Sequence, residues 1–271
     1  MNQVEKVSDL IAQRRLMLFV GAGVSDGLGL PTWNGLIKKV ASELGFDPDV
    51  FRRLGNNESL AEYYKIQKGA VGPLRSFMDT EWHAASIDIA ASNVHRLIAE
   101  LEFPLIYTTN YDRWIERALA THGKPYTRIA NLADISNAQE GATHVVKFHG
   151  DFDDDGSLVL SESDYFERME FRSALDLKFQ ADALRYSILF IGYGLNDTNI
   201  RILIYRLSKL WERETTGKRP PSYAFFNAAN VVQQAVLGSR GIEVVSGESD
   251  DPGKSLEDFL VQVATRVKAA R

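Results

Sequence analysis

Short apolar runs recur along the chain, each bounded by turn residues: LMLFV (16–20), PLIYTT (104–109), HVVKF (144–148), SILFIG (187–192), SYAFFN (222–227) and IEVV (242–245). Their length and their β-branched and aromatic content predict strands buried on both faces. Between them, apolar positions return at helical spacing over 34–44, 90–101, 112–121, 200–211 and 255–269. Pro31-Thr32 is a good start for the first of these, and Ser255 with Asp258 has the spacing of a capping box at the last. Strands that alternate with helices predict an α/β fold built on a parallel sheet. Residues 46–90 break the alternation, with helical patterning and no strand, and read as a small helical insertion in a single domain spanning 1–271. The segment VEKVSDLIAQ (4–13) is amphipathic and carries Glu5 and Asp9. A short helix leading into the first strand is therefore expected there, not the basic front of a secretory leader that Arg14-Arg15 suggests. No apolar run approaches the ~20 residues of a membrane-spanning helix.

Two stretches carry chemistry. The first strand runs straight into GAGVSDGLGLPTW, a strand-to-helix turn of small residues, where α/β folds hold phosphates against backbone N–H groups. The dinucleotide fingerprint G-x-G-x-x-G fails, because Asp26 occupies the third glycine position after Gly21 and Gly23, and no Walker lysine follows. The second stretch, DFDDDGSLVLSE (151–162), matches a calcium-loop pattern at every position. A calcium loop of that type needs a helix on each side, and HVVKFHG before Asp151 reads as a strand. An acidic surface turn is the better reading, with calcium unlikely to bind.

Composition narrows the field. The chain has 271 residues, a net charge of −5 and no cysteine. The acidic balance and the lack of a basic stripe argue against direct nucleic-acid binding. Without cysteine there is no disulfide and no cysteine-liganded zinc, which fits a reducing, cytoplasmic setting.

Four segments read together say more than any one. GAGVSDGLGLPTW, TTNYD (108–112), KFHGD (147–151) and FIGYGLNDTNI (190–200) follow in this order, each at the C-terminal end of an expected strand. That is the ligand-binding edge of a Rossmann-like, doubly wound parallel sheet. The ordered set, with SNVHRLIAELEFPLIYTTNYD, resembles the sirtuin superfamily, most of all the bacterial sirtuin-like NAD-hydrolase branch of antiviral defence systems. The resemblance implies an NAD glycohydrolase with NAD as substrate and no further cofactor. It implies that Gly21, Ala22, Gly23 and Ser25 hold the pyrophosphate and the neighbouring ribose, with Asp26, Pro31, Trp33 and Thr109 nearby. Asn110 would orient the nicotinamide ribose and a water, Asp112 would engage the nicotinamide amide, and His149 would act on ribose hydroxyls. Gly192, Gly194 and Asn227 would line the adenosine side. The resemblance further implies a toxic effector held inactive until a homo-oligomer or a separate partner protein completes it.

The sequence departs from the protein-deacylase pattern of the superfamily. Thr109 stands where that pattern has Gln, Gly194 where it has Ser, and the four zinc cysteines are missing. A deacylase or ADP-ribosyltransferase on the same core is one alternative, and a non-catalytic NAD or ADP-ribose sensor is another. The chemistry favours hydrolysis. A neutral Asn suits the positioning of water, and a His that titrates near neutrality can take a proton. His95 reads as structural, Asp197 as the cap of the helix that follows it, and His83, His122 and His144 have no metal-ligand partners at useful spacing.

Overall fold

The computed structural model describes residues 2–30, 33–195, 197–213, 217–247 and 249–270; Pro31-Thr32, placed at a helix start from the sequence, lie outside the described residues. Seven strands form one sheet: β1 Leu16–Val20, β2 Leu105–Thr108, β3 Tyr126–Ile129, β4 Thr143–Lys147, β5 Ser187–Ile191, β6 Ser222–Phe226 and β7 Ile242–Ser246. Their order is β3-β4-β2-β1-β5-β6-β7, and every pairing is parallel. The chain builds outward from β1 to one side and then, from β5, to the other. The reversal falls beside β1, and there a doubly wound sheet opens a crevice at its C-terminal edge.

Both faces of β1 are buried, and the period of two sorts its side chains. Leu16, Leu18 and Val20 join one core, Met17 and Phe19 the other. The helices are α1 Gln3–Ala12, α2 Gly23–Asp26, α3 Trp33–Glu43, α4 Pro48–Phe51, α5 Asn57–Lys68, α6 Gly72–Trp82, α7 Asn93–Leu101, α8 Trp114–Thr121, α9 Leu132–Ser136, α10 Glu162–Arg168, α11 Ala174–Arg185, α12 Thr198–Arg213, α13 Val231–Ser239 and α14 Pro252–Ala270. The first core takes the apolar stripes of α1, α7, α8 and α14; the second takes those of α11 and α12. A third core joins α3, α4, α5 and α6 to Tyr111, Phe152, Leu158 and Leu160, which come from the loops at the C-terminal edge. The helices of 46–90 are thereby packed against the segments that carry TTNYD and KFHGD.

The second core ends directly beneath that edge. Phe19 lies 5.1–6.5 Å, centroid to centroid, from Tyr107, Phe148, Phe179, Phe190 and Tyr193. Such pairs contribute about 0.5–1.5 kcal/mol each beyond burial. They fix Phe148 next to His149 and Tyr193 next to Gly192, so the bases of two site loops rest on one rigid cluster.

Several expectations change. β3 is a seventh strand; at the sheet edge, only Ile129 of YTRI is fully buried, so no apolar run announces it. α9, α11 and α13 are further helices, the last two opened by capping boxes at Ser173 with Asp176 and Asn230 with Gln233. α14 starts three residues before the expected cap. Asp251 Oδ1 accepts from the backbone of Gly253 and Lys254, and Ser255 is buried inside the helix.

Candidate active site

A cavity of about 550 Å³ opens at the C-terminal edge, above the ends of β1, β2, β4 and β5. Glycine forms its floor for a packing reason. Gly21 N donates to Ile191 O (3.0 Å) and Gly23 N to Gly192 O (2.9 Å), zipping the turn after β1 to the turn after β5. A Cβ on Gly21 would overlap the Gly192 carbonyl and the Tyr193 ring, and Gly192 itself has φ +57°. Two of the amides expected to face an anion are thus already bonded. Gly21 lies under the cavity and is not part of its wall.

On one wall, three polar side chains hold each other. Ser25 Oγ donates to Asp112 Oδ2 (2.9 Å), while Asp112 Oδ1 accepts from the N–H of Trp114 (3.1 Å), the first residue of α8. Asn110 Nδ2 donates to Gly21 O (3.2 Å) and Ser25 Oγ (3.4 Å), leaving Oδ1 with no protein partner among the described residues. Beneath them Lys147, fully buried at the end of β4, donates from Nζ to Asp112 O and lies 3.4 Å from Glu116 Oε1. Burial pushes the Glu116 carboxyl up, and Lys147 opposes that rise.

His149 also lines the cavity, 2% exposed, stacked on Phe148 and edge-on to Tyr165. Its Nε2 lies 3.6 Å from Asp197 Oδ2 and makes no hydrogen bond among the described residues. Burial pushes the imidazole down to about 4; Asp197 works against this and Arg168 adds to it. The ring is therefore neutral at pH 7 and able to accept a proton, which corrects the expectation of titration near neutrality. Asp197 also accepts from Ile200 N (3.0 Å), capping α12 as the sequence suggests, and from the Tyr165 hydroxyl (3.4 Å). His95 is fully buried, with Ser92 Oγ 2.8 Å from Nδ1, and burial pushes it to about 4 as well.

The acidic turn is locked by arginines. Arg128 from β3 pairs with Asp151 (3.0 Å) and with Asp153, Arg113 reaches Asp153 (2.9 Å), and Arg75 from α6 reaches Asp155 (2.7 Å). Asp151 is buried, unlike the surface position expected, and β4 precedes the turn where a calcium loop would have a helix. With these carboxylates occupied, added calcium or chelator should leave the melting temperature unchanged. A site filled to a hundred times its Kd would add about 2.7 kcal/mol, several degrees for a chain of this size. A melting temperature that chelator lowers and calcium restores, and that Asp151→Ala makes insensitive, would refute this.

The structure brings together at the cavity Ala22, Gly23, Ser25, Asp26, Trp33, Thr109, Asn110, Asp112, His149, Gly192 and Gly194. Asn227 is not among them; at the end of β6 its Nδ2 donates to Asp250 O (3.4 Å). Pro31 lies outside the described residues. Sequence reading did not place Asn57, Glu58, Trp82, Tyr111, Tyr165 or Asp197 here. Only Asp197 and Tyr111, sitting inside the quoted segments, offered any signal. A larger hollow of about 810 Å³ lies at the opposite, N-terminal edge beside Arg14, Pro104, His144 and Tyr186, away from the polar groups just described. Among the described residues no helix is long and apolar enough to cross a membrane.

A family model for the SIR2-like domain matches residues 104–245, more than half of the chain. The chain is 28% identical over 214 residues to the NAD(+) hydrolase ThsA of Cytobacillus dafuensis, an overlap covering 79% of this chain and 41% of that protein. It is 31% identical over 224 residues to the defense-associated sirtuin 2 of Bacillus subtilis, covering 77% of this chain and 21% of that protein. The chain thus spans well under half the length of these relatives. A solved structure of a Sir2 enzyme superposes over 99% of both chains with a TM-score of 0.51 at 15% identity, a likeness of fold.

Proposed function

This chain belongs to the family of SIR2-like domains, and from that premise we propose that it is an NAD glycohydrolase, which cleaves NAD to nicotinamide and ADP-ribose as an effector of bacterial antiphage defence. The names of its relatives support the reading, since they include an NAD(+) hydrolase and a defense-associated sirtuin. In this reading residues 1–271 act as one SIR2-like domain with the helices of 46–90 inserted in it. A homo-oligomer or a separate partner protein completes the active state.

The observation that carries the proposal is the charge of the cavity wall. Asp26, Glu58, Asp112 and Asp197 line it together with a neutral Asn110 and a neutral His149, and no Lys or Arg does so among the described residues. Breaking the nicotinamide–ribose bond sends the bonding pair to nicotinamide and leaves positive charge on the ribose. Carboxylates fixed around that position favour the transition state over the ground state. Asn110 Oδ1 aligns the attacking water, which adds to the anomeric carbon. His149 takes a proton from that water or from a ribose hydroxyl. Trp33, Trp82 and Tyr193 line the cavity and keep bulk solvent out.

The test is chromatography of NAD incubated with the pure protein, with and without the product of a neighbouring gene. Nicotinamide and ADP-ribose should appear in step with the loss of NAD. Tight binding without turnover in every preparation would favour the sensor reading. Nicotinamide released one-for-one with deacetylated peptide would favour a deacylase.

A further inference from the structure

A buried imidazole such as that of His149 needs a fixed neighbour to serve as a base. The groups facing it are few. Phe148 stacks on one side of the ring and the Tyr165 ring stands edge-on at 5.5 Å. Arg168 lies 4.4 Å over Phe148, its charge answered by Asp176 at 2.8 Å. Tyr193 shares the cavity. Among the described residues Asp197 alone presents an anionic oxygen to the ring, 3.6 Å from Nε2, and it is itself fixed by Ile200 N and the Tyr165 hydroxyl. At 3.6 Å there is no room for an intervening water. Contacts of this kind are often long in unliganded sites and tighten when substrate binds. Nε2 is buried and otherwise without a hydrogen bond, and no protein partner reaches Nδ1 among the described residues.

We infer that Asp197 is the positioning residue of His149, holding the imidazole with Nε2–H towards α12 so that Nδ1 carries the lone pair that takes the proton. When Nδ1 accepts the proton the ring becomes cationic, and the Asp197 carboxylate is its counter-charge. The opposing effect of Asp197 on the burial of His149 agrees in direction. The catalytic step rests on the NAD-cleavage reading; the pairing itself does not.

Asp197→Asn is the decisive change, because Asn keeps the α12 cap and a merely structural Asp197 would predict a neutral outcome. In a protein that cleaves NAD, kcat should fall roughly tenfold or more with KM little changed. The acid limb of the pH–rate profile should move to lower pH, since the anion that favours the protonated ring is gone. Asp197→Glu should restore part of the rate. Independently of turnover, ¹⁵N imidazole spectra of the whole chain, assigned with His149→Gln, should show the Nε2–H tautomer at neutral pH, with protonation shifted to lower pH in Asp197→Asn. If the parent protein fails to cleave NAD, the activity reading falls while the spectra still decide the pairing. Unchanged tautomer and titration in Asp197→Asn, or an unchanged kcat and pH profile in a cleaving protein, would overturn the inference.

Discussion

Asn110→Ala and His149→Ala should each lower NAD cleavage by about a hundredfold or more, the scale of losing a positioned catalytic group. Both side chains line the cavity, and in the proposed mechanism they act on one water and one ribose. The losses should therefore fail to multiply in the double variant, as they do for groups that work as a unit. Folding should survive. Asn110 gives up only two hydrogen bonds, to Gly21 O and Ser25 Oγ, each worth about 0.5–1.5 kcal/mol. His149→Ala removes a ring packed on Phe148 and Tyr165, so His149→Gln, which keeps most of the volume, is the companion variant. Initial rates of nicotinamide release and NAD-induced thermal shifts should be read on the same samples. The shift should persist while the rate collapses, because the interlocked glycine turn and the loop after β5 remain. A folded His149→Gln that cleaves NAD at the parent rate would remove His149 from the mechanism.

Lys147→Met should be the most damaging single change to stability, costing about 3–5 kcal/mol. The ammonium is fully buried, and its loss strands Glu116, buried too, and leaves the Asp112 carbonyl without its donor. Burial already raises the Glu116 carboxyl, and Lys147 is the group that opposes the rise. In Lys147→Met the folded-state value climbs further above the unfolded one, so stability falls as pH rises and recovers as acid neutralises Glu116. Adding Glu116→Leu should recover much of the loss, since an apolar pair often replaces a buried ion pair at no net cost. Activity should recover less, because residues 109–112 still lack the anchor at the Asp112 carbonyl. Denaturant melts at several pH values, with the rates of both variants, give the answer. A Lys147→Met protein as stable as its parent at pH 8 would show that the ion pair is structurally idle.

How much of this was legible in the sequence follows from where each residue sits. Strands buried on both faces announce themselves as apolar runs, and the six so marked are strands in the structure; β7, at the sheet edge, buries only Ile242 and Val245, unlike the two buried faces expected of it. β3 escaped notice because an edge strand needs only one buried side chain, Ile129, and spends Arg128 on the acidic turn instead. α14 was misplaced because Ser255 and Asp258 have the spacing of a cap while the chain had already turned helical under Asp251. The loop ends that carry Asn110 and His149 could be located from the order of strands alone, since parallel topology sends every C-terminal end to one edge. Glu58 and Trp82 could not, because they reach the cavity through the third core, where long-range packing decides the placement. For Asp197 the sequence shows the local role alone. One carboxylate oxygen caps α12, and nothing in the sequence tells that the other faces a histidine from a different strand end.

The position of β1 has a further effect during synthesis. Its neighbours are β2 on one side and β5 on the other, with Leu16 in register with Ser187. The strand made first stays unpaired on one edge until most of the chain has left the ribosome. Pairings so distant in sequence form slowly. The glycine turn, Asn110, His149 and Asp197 are synthesised in that order; the first three follow the neighbouring strands β1, β2 and β4, and Asp197 joins them only when β5 docks beside β1. A nascent chain arrested just before β5 carries Asn110 and His149 but lacks Asp197 and the Gly192 carbonyl to which the glycine turn is bonded. Under the proposed reading as an NAD glycohydrolase, the sheet order leaves the cavity unfinished in every copy that has not yet made β5.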